Sequence, residues 1–60
     1  MTVRELTNCY WEKIKIYTED NNDFIDLYNG LADYIPYNLL NRRVKHFASA
    51  RKGIIDVCVA

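Results

Sequence analysis

Residues 44–59 constrain the fold most, because they predict two β-strands around a tight turn. Apolar and β-branched residues lie on both sides of Arg51-Lys52-Gly53, which supplies two polar residues and the glycine that a turn often needs. With Gly53 in the left-handed conformation, a three-residue loop with a bulge would place Ala50 opposite Ile54. This stretch therefore predicts a C-terminal β-hairpin with a defined register.

The predicted register gathers apolar side chains on one face of the hairpin. It pairs Phe47 with Val57, Lys45 with Val59, and Ser49 with Ile55. The residues that share the apolar face are Phe47, Ile55, Val57 and Val59. A slip by one residue would scatter this set over both faces, so the apolar pattern favours the first register.

The amino-terminal residues predict a short helix. Thr2-Val3-Arg4-Glu5 fits a capping box, in which a Thr hydroxyl accepts from a free amide and a Glu three residues later reaches back. Apolar residues then recur at helical spacing at Val3, Leu6, Cys9 and Tyr10. We expect a helix from Thr2 to about Cys9, docked on a sheet because it is too short to persist alone.

A second hairpin is predicted after Trp11, where the apolar period changes to two. Residues 13–17 and 24–28 alternate between apolar and polar, and a polar turn cluster separates them. The self-consistent pairs are Ile16 with Ile25, Ile14 with Leu27, Lys15 with Asp26, and Tyr17 with Phe24. Asn29-Gly30 is expected to end the second strand.

Pro36 predicts the start of a second short helix, which residues 37–40 would complete. The predicted fold class is therefore α+β in the order α-β-β-α-β-β. Two hairpins form a small four-stranded antiparallel sheet, and two short helices cover one face. At 60 residues the chain makes one domain, residues 1–60. The order of the strands in the sheet is left open.

Charge argues against general nucleic-acid binding, since eight Lys and Arg balance eight Asp and Glu. The charges are segregated, however: residues 16–41 contain acidic residues and no Lys or Arg, and a basic stretch follows. The acidic span is either a solvated loop or a footprint that steers a partner. With no signal-peptide core and no membrane-length apolar run, the expected compartment is the cytoplasm.

Four segments carry a resemblance to a known group of proteins: residues 13–17, 27–30, 35–44 and 54–57. Together they resemble small uncharacterised proteins encoded by bacteriophages and mobile elements. The resemblance covers most of the chain through structural motifs. It implies a phage-like accessory role and carries no activity with it.

A possible chemical site involves His46, which the predicted register places opposite Cys58, with Asp56 two residues away. A Cys, a His and a carboxylate suggest nucleophilic catalysis, and with Cys9 they suggest a zinc site. A catalytic site also needs a cleft and an oxyanion hole, and small zinc domains usually show paired spacings such as C-x-x-C. Such a spacing is missing from the sequence. We therefore predict no catalytic activity, no metal and no cofactor.

The leading functional prediction is a non-enzymatic protein-binding module, acting as a homodimer or accessory subunit. If the isoleucines of the first hairpin face the core, its aromatic residues face outward and form an interface with a charged rim. The predicted partner-binding residues are Trp11, Tyr17, Phe24 and Tyr28, with Glu19, Asp20 and Asp23 setting orientation. The opposite possibility, that a helix covers these aromatic residues as ordinary core, stays open.

Two alternatives follow from the same residues. The first is an inhibitor of a host-defence nucleic-acid enzyme, anti-CRISPR-like, whose acidic loop imitates phosphates. The second is a single-stranded nucleic-acid binder that stacks bases on the aromatic residues.

Overall fold

The computed structural model describes residues 1–8 and 11–60, apart from the side chain of Ala50. The elements are α1 (Val3–Leu6), β1 (Lys13–Asp20), β2 (Asp23–Leu31), a 3-10 turn (Ala32–Tyr34), α2 (Tyr37–Leu40), β3 (Val44–Arg51) and β4 (Ile54–Val59). This is a small α+β fold with four strands and two short helices. The predicted order of helices and strands is confirmed.

The sheet is mixed, and the prediction of a purely antiparallel sheet is wrong. The strand order is β2-β1-β4-β3, with antiparallel hairpins at both sides and a parallel pairing of β1 with β4 in the middle. Ile16 of β1 lies beside Val57 of β4. These two strands carry the buried Ile and Val side chains of the sheet, and the central positions cover them best. The segment that joins the first hairpin to the second contains α2, and it provides the crossover connection that the parallel pairing of β1 with β4 requires.

The first hairpin closes through a tighter turn than the sequence suggested. Asn21 and Asn22 both have positive φ, 50° and 70°, as in the two-residue turn that matches strand twist. This turn pairs Asp20 with Asp23, and a bulge then places Ile16 beside Tyr28. The predicted pairing of Ile16 with Ile25 is wrong because the turn residues set the register.

The second hairpin follows the predicted register in its middle and departs from it at both ends. Phe47 lies opposite Val57, and His46 lies opposite Cys58. Gly53 has the left-handed φ of 78° that the turn requires. Register shifts on either side of these pairs place Arg51, rather than Ala50, beside Ile54, and Val44, rather than Lys45, beside Val59.

The core lies between the helices and one face of the sheet. The capping box is present: the Glu5 amide donates to the Thr2 hydroxyl, and the Glu5 carboxylate accepts from the Thr2 amide. The core residues are Val3, Leu6, Ile14, Ile16, Ile35, Leu39, Ile55, Val57 and Val59. Phe47, predicted to be core, is 47% exposed because β3 is an edge strand.

α1 ends at Leu6, before the predicted end near Cys9, and Cys9 lies outside the described residues. No helix in the described part of the chain is long and apolar enough to cross a membrane.

Candidate functional site

The face of the sheet opposite the helices carries the candidate site, and we refer to it as the open face. It follows from strand alternation, because residues between the buried isoleucines and valines point the other way. Its residues are Lys15, Tyr17 and Glu19 of β1, Phe24 and Asp26 of β2, His46 and Ala48 of β3, and Asp56 and Cys58 of β4. Neither α1 nor α2 contributes to it, since their buried residues belong to the core.

An aromatic pair lies on one half of the open face. The rings of Tyr17 and Phe24 meet edge to face with centroids 5.6 Å apart, and Phe24 is 68% exposed. Beside them is a shallow cleft of about 260 Å³, whose charged walls are Lys15, Asp26 and Asp56. The Lys15 ammonium lies 3.8 Å from the Asp26 carboxylate. A partly exposed aromatic pair with charges of both signs around it has the composition of a protein interface.

The structure separates the four aromatic residues that were predicted to share one surface. Tyr17 and Phe24 lie on the open face, whereas Trp11 and Tyr28 pack against the core on the helix side. The Tyr28 hydroxyl donates to the Leu31 carbonyl at 2.7 Å. The predicted placement of Trp11 and Tyr28 on the aromatic surface is wrong. For Tyr28 the reason is the observed register of the first hairpin, which puts this residue beside the buried Ile16.

The three acidic residues that were predicted to orient a partner also lie in two different places. Asp20 and Asp23 form the exposed closing pair of the first hairpin, directly opposite each other. Glu19 instead lies on the open face, where one carboxylate oxygen is 3.5 Å from the Lys45 ammonium and the other is 3.4 Å from His46 Nε2. The His46 hydrogen bond, and then the Lys45 charge, lower the pKa of Glu19. Glu19 is therefore engaged within the fold, while Asp20 and Asp23 form an acidic tip.

Glu19, His46 and Cys58 converge at the other end of the open face. Each offers one atom that can bind a metal, and these atoms lie within 4.8 Å of one another. The Cys58 thiol is free and buried, and it lies 4.0 Å from Glu19 Oε1. The Tyr17 ring packs edge to face on the His46 ring at 6.3 Å. Burial, and next the ionisable groups of Cys58, Glu19 and Asp56, raise the pKa of Tyr17.

Sequence reasoning found part of this cluster and missed the rest. It paired His46 with Cys58 but chose Asp56 as the carboxylate, whereas the carboxylate in contact is Glu19. Glu19 reaches the pair because the parallel register sets Tyr17 beside Cys58 and Thr18 beside Val59. The available signal was the clustering of Ile and Val in β1 and β4, which favours both strands at the centre of the sheet.

Comparison with protein-family models, with curated proteins and with solved structures finds no match to this chain.

Proposed function

We propose that this chain is a cytoplasmic protein-binding module that uses the open face to pair with a second copy of itself. The observation that carries the proposal is the exposed Phe24, packed edge to face on the half-buried Tyr17, on a sheet face to which α1 and α2 do not contribute. Aromatic residues ringed by charged ones are enriched at the centres of protein interfaces. The phage-like resemblance of the sequence is consistent with a small accessory protein of this kind.

Charge favours a second copy over a strongly charged partner. Lys15 lies beside both Asp26 and Asp56 at the cleft, so the face presents both signs of charge next to its aromatic pair. A two-fold axis through the cleft would allow Lys15 of one copy to meet the carboxylates of the other. A highly acidic or basic partner would leave one sign uncompensated.

The size of the face also fits a dimer. The two longer dimensions of the molecule are 32 and 23 Å, so one face has a projected area of about 740 Å², close to the ~800 Å² per partner of a standard interface. A chain of 60 residues gains from such burial, because domains of this size are marginally stable alone.

Molar mass measured by light scattering tests this proposal. We expect wild type to have about twice the monomer mass of 7.1 kDa, and Phe24→Lys to be a folded monomer because a lysine cannot replace the aromatic contact. Tyr34→Lys is the matched control: Tyr34 is 73% exposed and lies in the 3-10 turn, away from the open face. A monomeric wild type, or a Phe24→Lys variant that stays dimeric, would refute self-pairing through this face.

A second candidate, the inhibitor that imitates phosphates, is favoured by the acidic tip. Like charges directly opposite each other on a hairpin are destabilising, so the pairing of Asp20 with Asp23 lowers the stability of the first hairpin. The inhibitor proposal requires that Asp20→Lys/Asp23→Lys abolishes inhibition of a purified host-defence nuclease, while Asp33→Lys does not. Unchanged inhibition in the first variant excludes phosphate imitation.

Single-stranded nucleic acid is not preferred as a ligand. Although Tyr17 and Phe24 offer a stacking surface, Asp26 and Asp56 flank the neighbouring Lys15. The face therefore lacks the positive surplus that phosphate binding needs.

A further inference from the structure

The three residues at the far end of the open face come from three adjacent strands. Glu19 lies on β1, Cys58 on the central β4, and His46 on β3, so hydrogen-bonded strands hold all three backbones. Sites built on strands hold their side chains more firmly than sites built on loops. This placement also joins a carboxylate, a thiol and an imidazole, the three ligand types that bind zinc in proteins.

We propose that Glu19, His46 and Cys58 form a zinc-binding site. Glu19 Oε1 lies 3.4 Å from His46 Nε2 and 4.0 Å from Cys58 Sγ, and all three ligand atoms fall within 4.8 Å of one another. Bond lengths of ~2.0–2.1 Å to nitrogen and oxygen and ~2.3 Å to sulfur require ligand atoms about 3.3–3.6 Å apart around a tetrahedral ion. Small side-chain adjustments therefore bring the three atoms to zinc-binding distances.

The surroundings of the three residues support ligation. Lys45 contacts Glu19 Oε2, 3.5 Å away, which leaves Oε1 directed at His46 and Cys58. Ligating carboxylates are commonly oriented by such outer polar contacts, and the Tyr17 ring restricts the imidazole by packing edge to face on it. A thiolate and a carboxylate neutralise the two charges of the ion, and the thiolate and imidazole favour zinc over magnesium or calcium.

The three ligands leave a fourth position of the tetrahedron for water or another ligand. Zinc sites with three protein ligands and an open position are typical of zinc that binds or activates a further group, whereas structural sites use four protein ligands. Side-chain exposure is unequal here, since Cys58 is buried while Glu19 and His46 are exposed. The open position is therefore expected on the outer side of the open face, directed away from the core.

Cobalt titration of the metal-free protein tests the site, because tetrahedral Co²⁺ replaces zinc and gives visible and thiolate charge-transfer absorption. We expect one Co²⁺ per chain and loss of the absorption when zinc is added. His46→Gln and Glu19→Gln should each weaken cobalt affinity more than about 100-fold, since even outer contacts contribute 10–100-fold. Both side chains are exposed, so these variants should fold even if Cys58→Ser does not.

Two control variants distinguish this site from cobalt binding elsewhere on the chain. Cys9→Ser should leave the thiolate absorption unchanged, which assigns it to Cys58, and Asp20→Asn should leave cobalt affinity unchanged. Absence of thiolate absorption, its loss in Cys9→Ser, or unchanged affinity in both His46→Gln and Glu19→Gln would overturn the proposal. The inference is independent of self-pairing, because Phe24→Lys should become monomeric and still bind one Co²⁺.

Discussion

The different burial of two isoleucines provides a direct test of the first hairpin. The apolar pattern alone paired Ile16 with Ile25 as equal core residues, whereas the structure leaves Ile16 fully buried and Ile25 45% exposed. Replacing each with Val removes one methylene and keeps the β-branched shape that strands favour. Ile→Val is milder than Ile→Ala, whose cost of about 2–5 kcal/mol approaches the whole stability expected at this size, about 3–9 kcal/mol.

The structure predicts unequal costs for the two substitutions. Ile16→Val should lower the free energy of unfolding by about 0.5–1.5 kcal/mol, because the methylene leaves a cavity in the core. Ile25→Val should lower it by no more than about 0.4 kcal/mol, since about half of the ~0.8 kcal/mol per buried methylene applies at a half-exposed site.

Urea unfolding at one fixed protein concentration measures this difference. With a slope near 1 kcal/mol per molar urea, the midpoint should fall by about 0.5–1.5 M for Ile16→Val and by no more than about 0.4 M for Ile25→Val. The slope itself should not change. Equal midpoint shifts would refute the observed register and restore Ile25 to the core.

Two further predictions concern local structure. Gly53→Ala should destabilise the fold by about 1–2 kcal/mol in thermal or urea unfolding, because φ at this position is 78° and a β-carbon opposes this conformation. Gly53→Asn should destabilise it less, since asparagine tolerates the left-handed region better than alanine. Equal losses of stability in the two variants would contradict a left-handed residue at position 53. Hydrogen bonds from the Thr2 amide and hydroxyl lower the pKa of Glu5, so its ionised form stabilises the fold above the unfolded-state pKa of about 4.3. That contribution should disappear as pH falls through the lower pKa of Glu5 in the folded state. An NMR titration that finds an ordinary pKa for Glu5 would contradict the capping box. So would a difference in stability between wild type and Glu5→Gln that does not change with pH.

The sequence was sufficient to predict the structural features that depend on neighbouring residues. The capping box of Thr2 and Glu5, the left-handed Gly53 and the pairing of Phe47 with Val57 were all predicted and are present. Each depends on groups within a few residues of one another or on one turn. Their energies are therefore decided by local hydrogen bonds and backbone sterics, and residue identity reveals both.

Only the tertiary structure decided how the two hairpins join and which side chains meet on the open face. The parallel pairing of β1 with β4 brings together residues as distant as Thr18 and Val59, 41 positions apart. It also brings Glu19 to His46 and Cys58, whereas the bulged register of the first hairpin moves Tyr28 to the core. Which strands pair over long range depends on how much apolar surface each possible arrangement of the strands buries in the shared core. A local sequence pattern does not show how those arrangements compare.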